Sequence, residues 1–298
     1  MVRSPRVGHA IDNSQPVVAL ETTIFSELGL PSPHNIEALA RCEAAVVDGG
    51  AEPALTAVLD GVPRVGVEDD AKPRLCGPAR KVAARDLSVA LAQSWAYGAT
   101  TVSASLTLAA NAGVRVFATG GIGGVHQGAE QSGDISADLD ALARHQVVTV
   151  SAGAKVFLDL ARTLEYLETA SVPVLGWRCG EFPAFHAPSS GLPLGHTVQT
   201  AIEVAEVARA HWQLGGGGLL VAAPVPAADG LDLEELLVSS AEAERRVVAD
   251  GITGPEVTPA VLAHLVELTD GRVLSANLSL AEHNATVAAD IAVALAST

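Results

Sequence analysis

Between Val114 and Lys155 the chain reads VRVFATGGIGGVHQGAEQSGDISADLDALARHQVVTVSAGAK, and no other stretch narrows the possible folds as much. A β-branched run, Val114–Thr119, breaks into four glycines within the five residues Gly120–Gly124. A polar segment carrying Glu130, Asp134, Ser136 and Asp138 follows, then a short helical pattern. A second apolar run, Val147–Ala152, ends just before Lys155. Short apolar runs that close in small residues are the pattern of strands buried on both faces of a parallel sheet. Ligands of such sheets bind beyond the carboxyl ends of the strands. Glycines there let the backbone approach a ligand, and its N–H groups can receive an anion. The stretch therefore predicts one wall of an active site, with carboxylates along one edge and an amine at the other.

The same alternation of strand and helix runs through the first 225 residues. Strands are expected over 17–20, 54–59, 64–67, 100–105, 114–119, 147–152, 172–177 and 219–224, with 54–59 and 64–67 joined as a hairpin. Helices are expected over 35–47, through the second half of 79–98, over 106–113, over 156–171 and over 197–212. Three more cover 231–250, 258–268 and 275 to the end. Only 3% of the residues are aromatic while 49% are hydrophobic, so Ala, Val and Leu must build the core, which suits helices packed on a sheet. The expectation is one α/β domain over residues 1–298. It has three layers, α/β/α, around a mixed, largely parallel sheet, with a helical C-terminal segment as a cover. Residues 1–15 are polar and expected to fray. The proline-rich stretch 180–195 is expected to be a lid or binding loop.

A net charge of −16 argues against a nucleic-acid or anionic membrane surface as partner. Cys42, Cys76 and Cys179 share no metal-type spacing and read as reduced thiols. With no signal-like apolar core and no run long enough to span a bilayer, a cytoplasmic protein is expected.

The 18 cations are 15 arginines and only three lysines, Lys72, Lys81 and Lys155. Where charge alone is needed this chain uses arginine, so a lysine in an apolar setting invites a chemical reason. An amine can lose its proton and attack carbon, which a guanidinium cannot. Lys72 lies in the polar run EDDAKPR, whereas Lys155 lies between SAGA and VFLDLA. Lys155 is therefore the candidate Schiff-base nucleophile, a snorkelling helix lysine being the plainer alternative. Glu21, at the end of the strand over 17–20, is a candidate general acid, with a capping or solvated carboxylate as its alternative. Asp134 and Asp138, four apart, would share a helix face and suit Mg²⁺ or Mn²⁺. Equally, Asp134 or Ser136 would simply cap a helix. The glycine cluster is no dinucleotide fingerprint, because His126 stands where a third glycine is required, and no Walker loop, serine elbow or paired-histidine zinc motif is present. From the residues alone, the reading is an α/β enzyme for a small, anionic ligand.

Five motifs, VALETTIFSELGLPSPHN, GATTVSASL, VFATGGIGGVHQGAEQSGDISADL, VVTVSAGAKVFLDLARTLEYLET and NLSLAEHNATVAADIA, resemble the pseudouridine-5′-phosphate glycosidase family, which includes the indigoidine synthase A-like proteins. The resemblance implies reversible cleavage of the carbon–carbon glycosidic bond of pseudouridine 5′-phosphate to uracil and ribose 5-phosphate. By position it implies Glu21 as proton donor, Lys155 as covalent nucleophile and Asp134 as ligand of a divalent metal, usually Mn²⁺, with Mg²⁺ as a substitute. Lys81, Val102, Ser136, Ala137, Asp138 and Asn284 match substrate-binding positions. It further implies a homotrimer. The chain departs from the family at Thr22, commonly Ser, and at Glu27-Leu28-Gly29, where a histidine–glycine pair is usual. Two rivals keep the fold: an enzyme acting on another C-ribosyl 5′-phosphate, and a catalytically silent nucleotide-binding protein.

Overall fold

The computed structural model describes residues 1–253 and 257–297. Its strands are β1 (Val2–Arg3), β2 (Val17–Leu20), β3 (Glu52–Leu59), β4 (Val62–Val65), β5 (Arg80–Val82), β6 (Tyr97–Thr100) and β7 (Val116–Ala118). They continue with β8 (Val125–His126), β9 (Val148–Ser151), β10 (Leu158–Asp159), β11 (Val174–Trp177), β12 (Thr197–Val198) and β13 (Leu219–Ala222). The helices are α1 (Pro5–Asp12), α2 (His34–Asp48), α3 (Lys72–Leu75), α4 (Leu87–Ala92), α5 (Val102–Ala112) and α6 (Ala129–Ser132). After them come α7 (Ala137–Arg144), α8 (Leu160–Thr169), α9 (Ala201–Gln213), α10 (Leu233–Ala249), α11 (Val257–Leu268) and α12 (Arg272–Ala296).

The main sheet runs β1-β4-β3-β2-β7-β9-β13-β11-β12. From β3 through β12 every neighbouring pair along this path is parallel, while β4 and β6 are antiparallel to β3. β3 is long enough to pair twice on one side, through 52–55 with β2 and through 57–59 with β6. The alternation along a strand sorts the core into two layers. Val17 and Ala19 of β2, with Leu220 and Ala222 of β13, face one apolar cluster; Val18, Leu20, Leu219 and Val221 face the other. This is the expected α/β/α sandwich on a mixed, largely parallel sheet. Among the described residues no helix is long and apolar enough to cross a membrane.

Four local expectations are corrected. Residues 1–15 do not fray. β1 pairs with the open edge of β4, Ser4 Oγ accepts a hydrogen bond from Val7 N at the start of α1, and Val7 and Ala10 enter the core. An unpaired edge and a Ser-Pro helix start give those residues a place to dock. The strand expected over 100–105 ends at Thr100, and α5 begins at Val102. One of its first N–H groups, on Ser103, is satisfied by Asp138 Oδ1 from far along the chain. The helix expected from Val156 begins only at Leu160, where Asp159 caps it by accepting from Arg162 N. Finally, the last helix is not a cover. α12 packs between α2 and α9 and crosses β2, β7 and β9, burying Ala281, Ala285, Ala288 and Ala289; such small residues let backbones approach closely.

Candidate active site

Three neighbouring strands, β2, β7 and β9, end side by side, and each hands on a piece of chemistry. Glu21 follows β2 directly, Thr119 and the glycines follow β7, and Lys155 follows β9. With strands about 4.8 Å apart, the first and third ends lie about 10 Å from one another. Glu21, the glycines and Lys155 line a single cleft of about 1220 Å³. The cleft lies beyond the carboxyl ends of the strands, where the topology of an open parallel sheet leaves a crevice.

Glu21 is 8% exposed, and the Thr119 hydroxyl donates to its Oε1. Burial pushes its carboxyl up to about 7, against the lowering pull of Thr119 and of the positive charge of Lys155. Below it, Thr22, Thr56, Thr100 and Ser105 form a buried hydroxyl network that ties the end of β2 to β3 and β6. The Thr22 departure from the family thus keeps the hydroxyl this network needs.

Lys155 is held by its backbone: its N–H donates to Ile122 O and its carbonyl accepts from Leu158 N. The turn into it requires Gly153, at φ +70°, where a Cβ would stand 2.0 Å from Pro183 O. Among the described residues Lys155 forms no ion pair, whereas Lys72 is bound on the surface by Glu43 and Asp69. The glycine loop is partly committed to structure. Ile122 N donates to Gly153 O and Gly123 N to Asp138 Oδ2, so these two amides cannot serve an anion. Asp138 clamps this loop to the start of α5 through its two oxygens.

The expected acidic helix face does not exist. Asp134 precedes α7, and Ser136 caps that helix by accepting from Asp138 N. Asp134 lies on the rim, its side chain 64% exposed and 3.9 Å from His126 Nδ1. Among the described residues no group of three or more His, Cys, Asp or Glu side chains could hold a metal. One exposed carboxylate beside one imidazole suits a hard divalent cation that keeps most of its waters. Lys81, on β5, and Arg85 add positive charge to the wall, alongside Val102, Ser136, Ala137 and Asp138.

Asn284 is the exception among the expected substrate contacts. It is fully buried behind the loop, its Nδ2 donating to the carbonyls of Thr119 and Gly120. Asn277, two helical turns earlier on the same face of α12, is the asparagine that lines the cleft. Residues seven apart share a helix face, so sequence spacing alone could not choose between them. The stretch 180–195 is a packed wall rather than a lid: Phe182, Ala184, Phe185, His186 and Ala187 are buried, and Phe185 N donates to Ala152 O. Phe185 holds φ +60°, a conformation that costs a bulky residue about 1–3 kcal/mol. Its ring fills the space beside Gly121, where a Cβ would come within 2.6 Å of it.

A buried acid raised towards neutrality and an amine near a neighbouring strand end, together in one cleft at the carboxyl edge of a parallel sheet, are the arrangement of an α/β enzyme that acts on a small molecule. The sequence model of indigoidine synthase A-like proteins matches residues 6–294, and the chain belongs to that family. Its relatives include proteins named pseudouridine-5′-phosphate glycosidase from Roseiflexus sp. (strain RS-1), 48% identical over 98% of this chain and 95% of the relative, and from Sorangium cellulosum (strain So ce56), 46% identical over 98% and 92%. Among solved structures, the prealnumycin C-glycosynthase AlnA in complex with ribulose 5-phosphate superposes with a TM-score of 0.90 at 35% identity, covering 99% of this chain and 97% of that one. An indigoidine synthase A-like protein from Thermotoga maritima gives 0.89 at 33% identity, covering 99% and 96%.

Proposed function

We propose that this protein is a pseudouridine-5′-phosphate glycosidase, catalysing pseudouridine 5′-phosphate + H₂O ⇌ uracil + ribose 5-phosphate. The observation that carries the reading is the pairing of Glu21, with its carboxyl at about 7, and Lys155 in one cleft. The bond to be broken joins two carbons, so it offers no heteroatom to protonate, and the two-carboxylate route of ordinary glycosidases does not suffice. Glu21 gives its proton to the ribose ring oxygen as the C1′–O4′ bond opens. The Lys155 amine adds to C1′; Glu21, now a carboxylate, takes the proton that the new ammonium releases and passes it to uracil C5, and the C1′–C5 bond breaks. Uracil leaves with the proton, and C1′ remains as an iminium on Lys155. Water adds to this carbon, the C–N bond breaks, and ribose 5-phosphate departs.

Asp134, with His126 beside it, would hold a divalent cation, Mn²⁺ or Mg²⁺, which supplies charge to orient substrate oxygens or water. Lys81 and Arg85 provide positive charge for the phosphate within an acidic chain. The homotrimer implied by the resemblance belongs to the same proposal. A second reading, C–C bond formation between ribose 5-phosphate and a larger aromatic partner, is favoured by the apolar wall that Leu262 and Val266 of α11 add to the cleft, and by the likeness to AlnA.

Uracil release from pseudouridine 5′-phosphate, with wild type and Lys155→Ala side by side, tests the first reading. Release by wild type alone is expected. Equal release by both would remove the covalent step, and no release by wild type, with turnover of another C-ribosyl 5′-phosphate, would favour the second reading.

A further inference from the structure

Thr119 marks the place where β7 stops behaving as a strand. Its N–H donates to Val150 O. In an unbroken parallel ladder the carbonyl of that same residue would accept from Ala152 N. Ala152 N donates to Gly120 O instead. Thr119 and Gly120 thus share the place of one residue, which is a bulge, and bulges beside active sites re-aim side chains. Here the re-aimed side chain is that of Thr119, whose hydroxyl donates to Glu21 Oε1. An oxygen that accepts from a hydroxyl leaves the acidic proton to its twin. Thr119 therefore sets which edge of the Glu21 carboxyl has a proton to give.

The bulge takes the Thr119 carbonyl out of the ladder, and Asn284 takes it up. The Asn284 Nδ2 donates to Thr119 O at 2.8 Å and to Gly120 O at 3.2 Å. Its helix, α12, comes close because Ala281, Ala285 and Ala288, all buried, share that face with Asn284. Leu280 of the same helix is near enough that its Cδ1 would stand 3.2 Å from a Cβ on Gly120. Asn284 is fully buried, and with two carbonyls in front of it only the NH₂ end of the carboxamide fits there. Its Oδ1 has no hydrogen-bond partner among the described residues. A buried acceptor left unpaired lowers stability and requires a reason; the grip of Nδ2 on the bulge supplies one.

We propose that Asn284 is a positioning residue for the Glu21 proton: it pins the bulge at the end of β7 and so holds the Thr119 hydroxyl on one oxygen of the carboxyl. The inference rests on the reading of Glu21 as the acid of the reaction. The charged groups that act on Glu21 come from other elements: Lys155 after β9, Asp138 in α7 and Lys81 on β5. The Cys42 thiol of α2, which burial pushes up to about 12, borders the small void behind Glu21. All four remain in an Asn284 variant, so a change in the Glu21 proton reads the Thr119 contact.

Uracil release is followed across pH in Asn284→Leu, which keeps the volume and removes the donors. Its kcat is expected to fall about tenfold, the worth of one hydrogen bond, with KM near the wild-type value. The Thr119 hydrogen bond lowers the Glu21 carboxyl, so its loss should raise it. The alkaline limb of the kcat profile, where Glu21 gives up its proton, should move up by about half to one pH unit. Thr119→Val, which removes the hydroxyl, should give the same loss and the same shift, and the double variant no more than either alone. An unmoved alkaline limb, effects that multiply in the double variant, or a raised KM in place of the lowered kcat would overturn the proposal, since a loosened cleft wall alone would give these. Should Asn284→Leu fail to fold, Asn284→Ala, which leaves room for water at the two carbonyls, is read in the same way; failure of both would make Asn284 a structural residue only and overturn the proposal as well. A ¹³C titration of the Glu21 carboxyl in the same variant needs no turnover: an upward shift is expected, and a wild-type titration contradicts the proposal. If Glu21→Gln keeps the wild-type alkaline limb, the reading of Glu21 as the acid fails, while the titration still judges the hold of Asn284 on Thr119.

Discussion

At the floor of the cleft Glu21 is 8% exposed and held by Thr119; at the rim the Asp134 side chain is 64% exposed, with His126 3.9 Å away. Both are carboxylates in one cleft, and burial lifts Glu21 towards neutrality. Desolvation disfavours a charge where water is excluded and has little hold where water remains. In the proposed reaction the floor moves protons and forms the covalent bond, and the rim holds a hydrated ion. Substitutions on the floor should act on chemistry and on pH behaviour, and those on the rim on ion binding alone.

The largest effect is expected at Lys155. Lys155→Ala should lower kcat for uracil release by about 10⁴-fold or more, as for other nucleophile deletions, with the fold intact by circular dichroism. Glu21→Gln comes next, with a loss of about 10²–10⁴-fold and a change in stability opposite in sense. In the folded protein Glu21 keeps its proton up to about pH 7, whereas the unfolded chain releases it near 4.5. The folded state binds the extra proton, so stability falls as pH rises through that window, by at most about 3 kcal/mol. Glu21→Gln cannot ionise. Above pH 7 it should melt at a higher temperature than wild type, and the two should converge below pH 4.5. A variant that melts lower at pH 8 would mean that the carboxyl is not held in a dry site.

Asp138 sharpens the contrast, because it lines the same cleft but is spent on backbone N–H groups from Ser103 and Gly123. Asp138→Asn turns one acceptor into a donor facing an N–H, and should cost about 1–3 kcal/mol in denaturant unfolding. The smallest structural effect belongs to Asp134→Ala: stability within about 0.5 kcal/mol of wild type, but on the order of 10–100-fold more Mn²⁺ needed for half-maximal turnover after chelation. Unchanged turnover after exhaustive chelation would remove the metal from the account.

The strands are readable because buried parallel strands are short apolar runs: β7 and β9 run into small residues, and β2 runs directly into Glu21. Glu21 and Lys155 stood out by position, one at a strand end and one as a rare lysine in an apolar setting. Less readable was whatever depends on partners distant in sequence. Nothing near Val102 announces that Asp138 will satisfy the first turn of α5, and so the apolar run reads as strand as far as Ser105. Asn277 and Asn284 sit on one face of α12, and only the packing shows that the second holds the glycine loop while the first meets the cleft. The proline-rich stretch 180–195 has the composition of a mobile loop, yet Phe182 and His186 are fully buried. Thr119 carries no signal beyond ending a strand, and its role appears once β2 and β7 are neighbours.

The proposed reaction turns on which amine meets the sugar carbon, and borohydride reduction in the presence of ribose 5-phosphate, followed by peptide mapping, reads that directly. The prediction is a single reduced adduct on Lys155, absent from Lys155→Ala. An adduct on Lys81 or Lys72, or wild-type uracil release with no adduct at all, would contradict it.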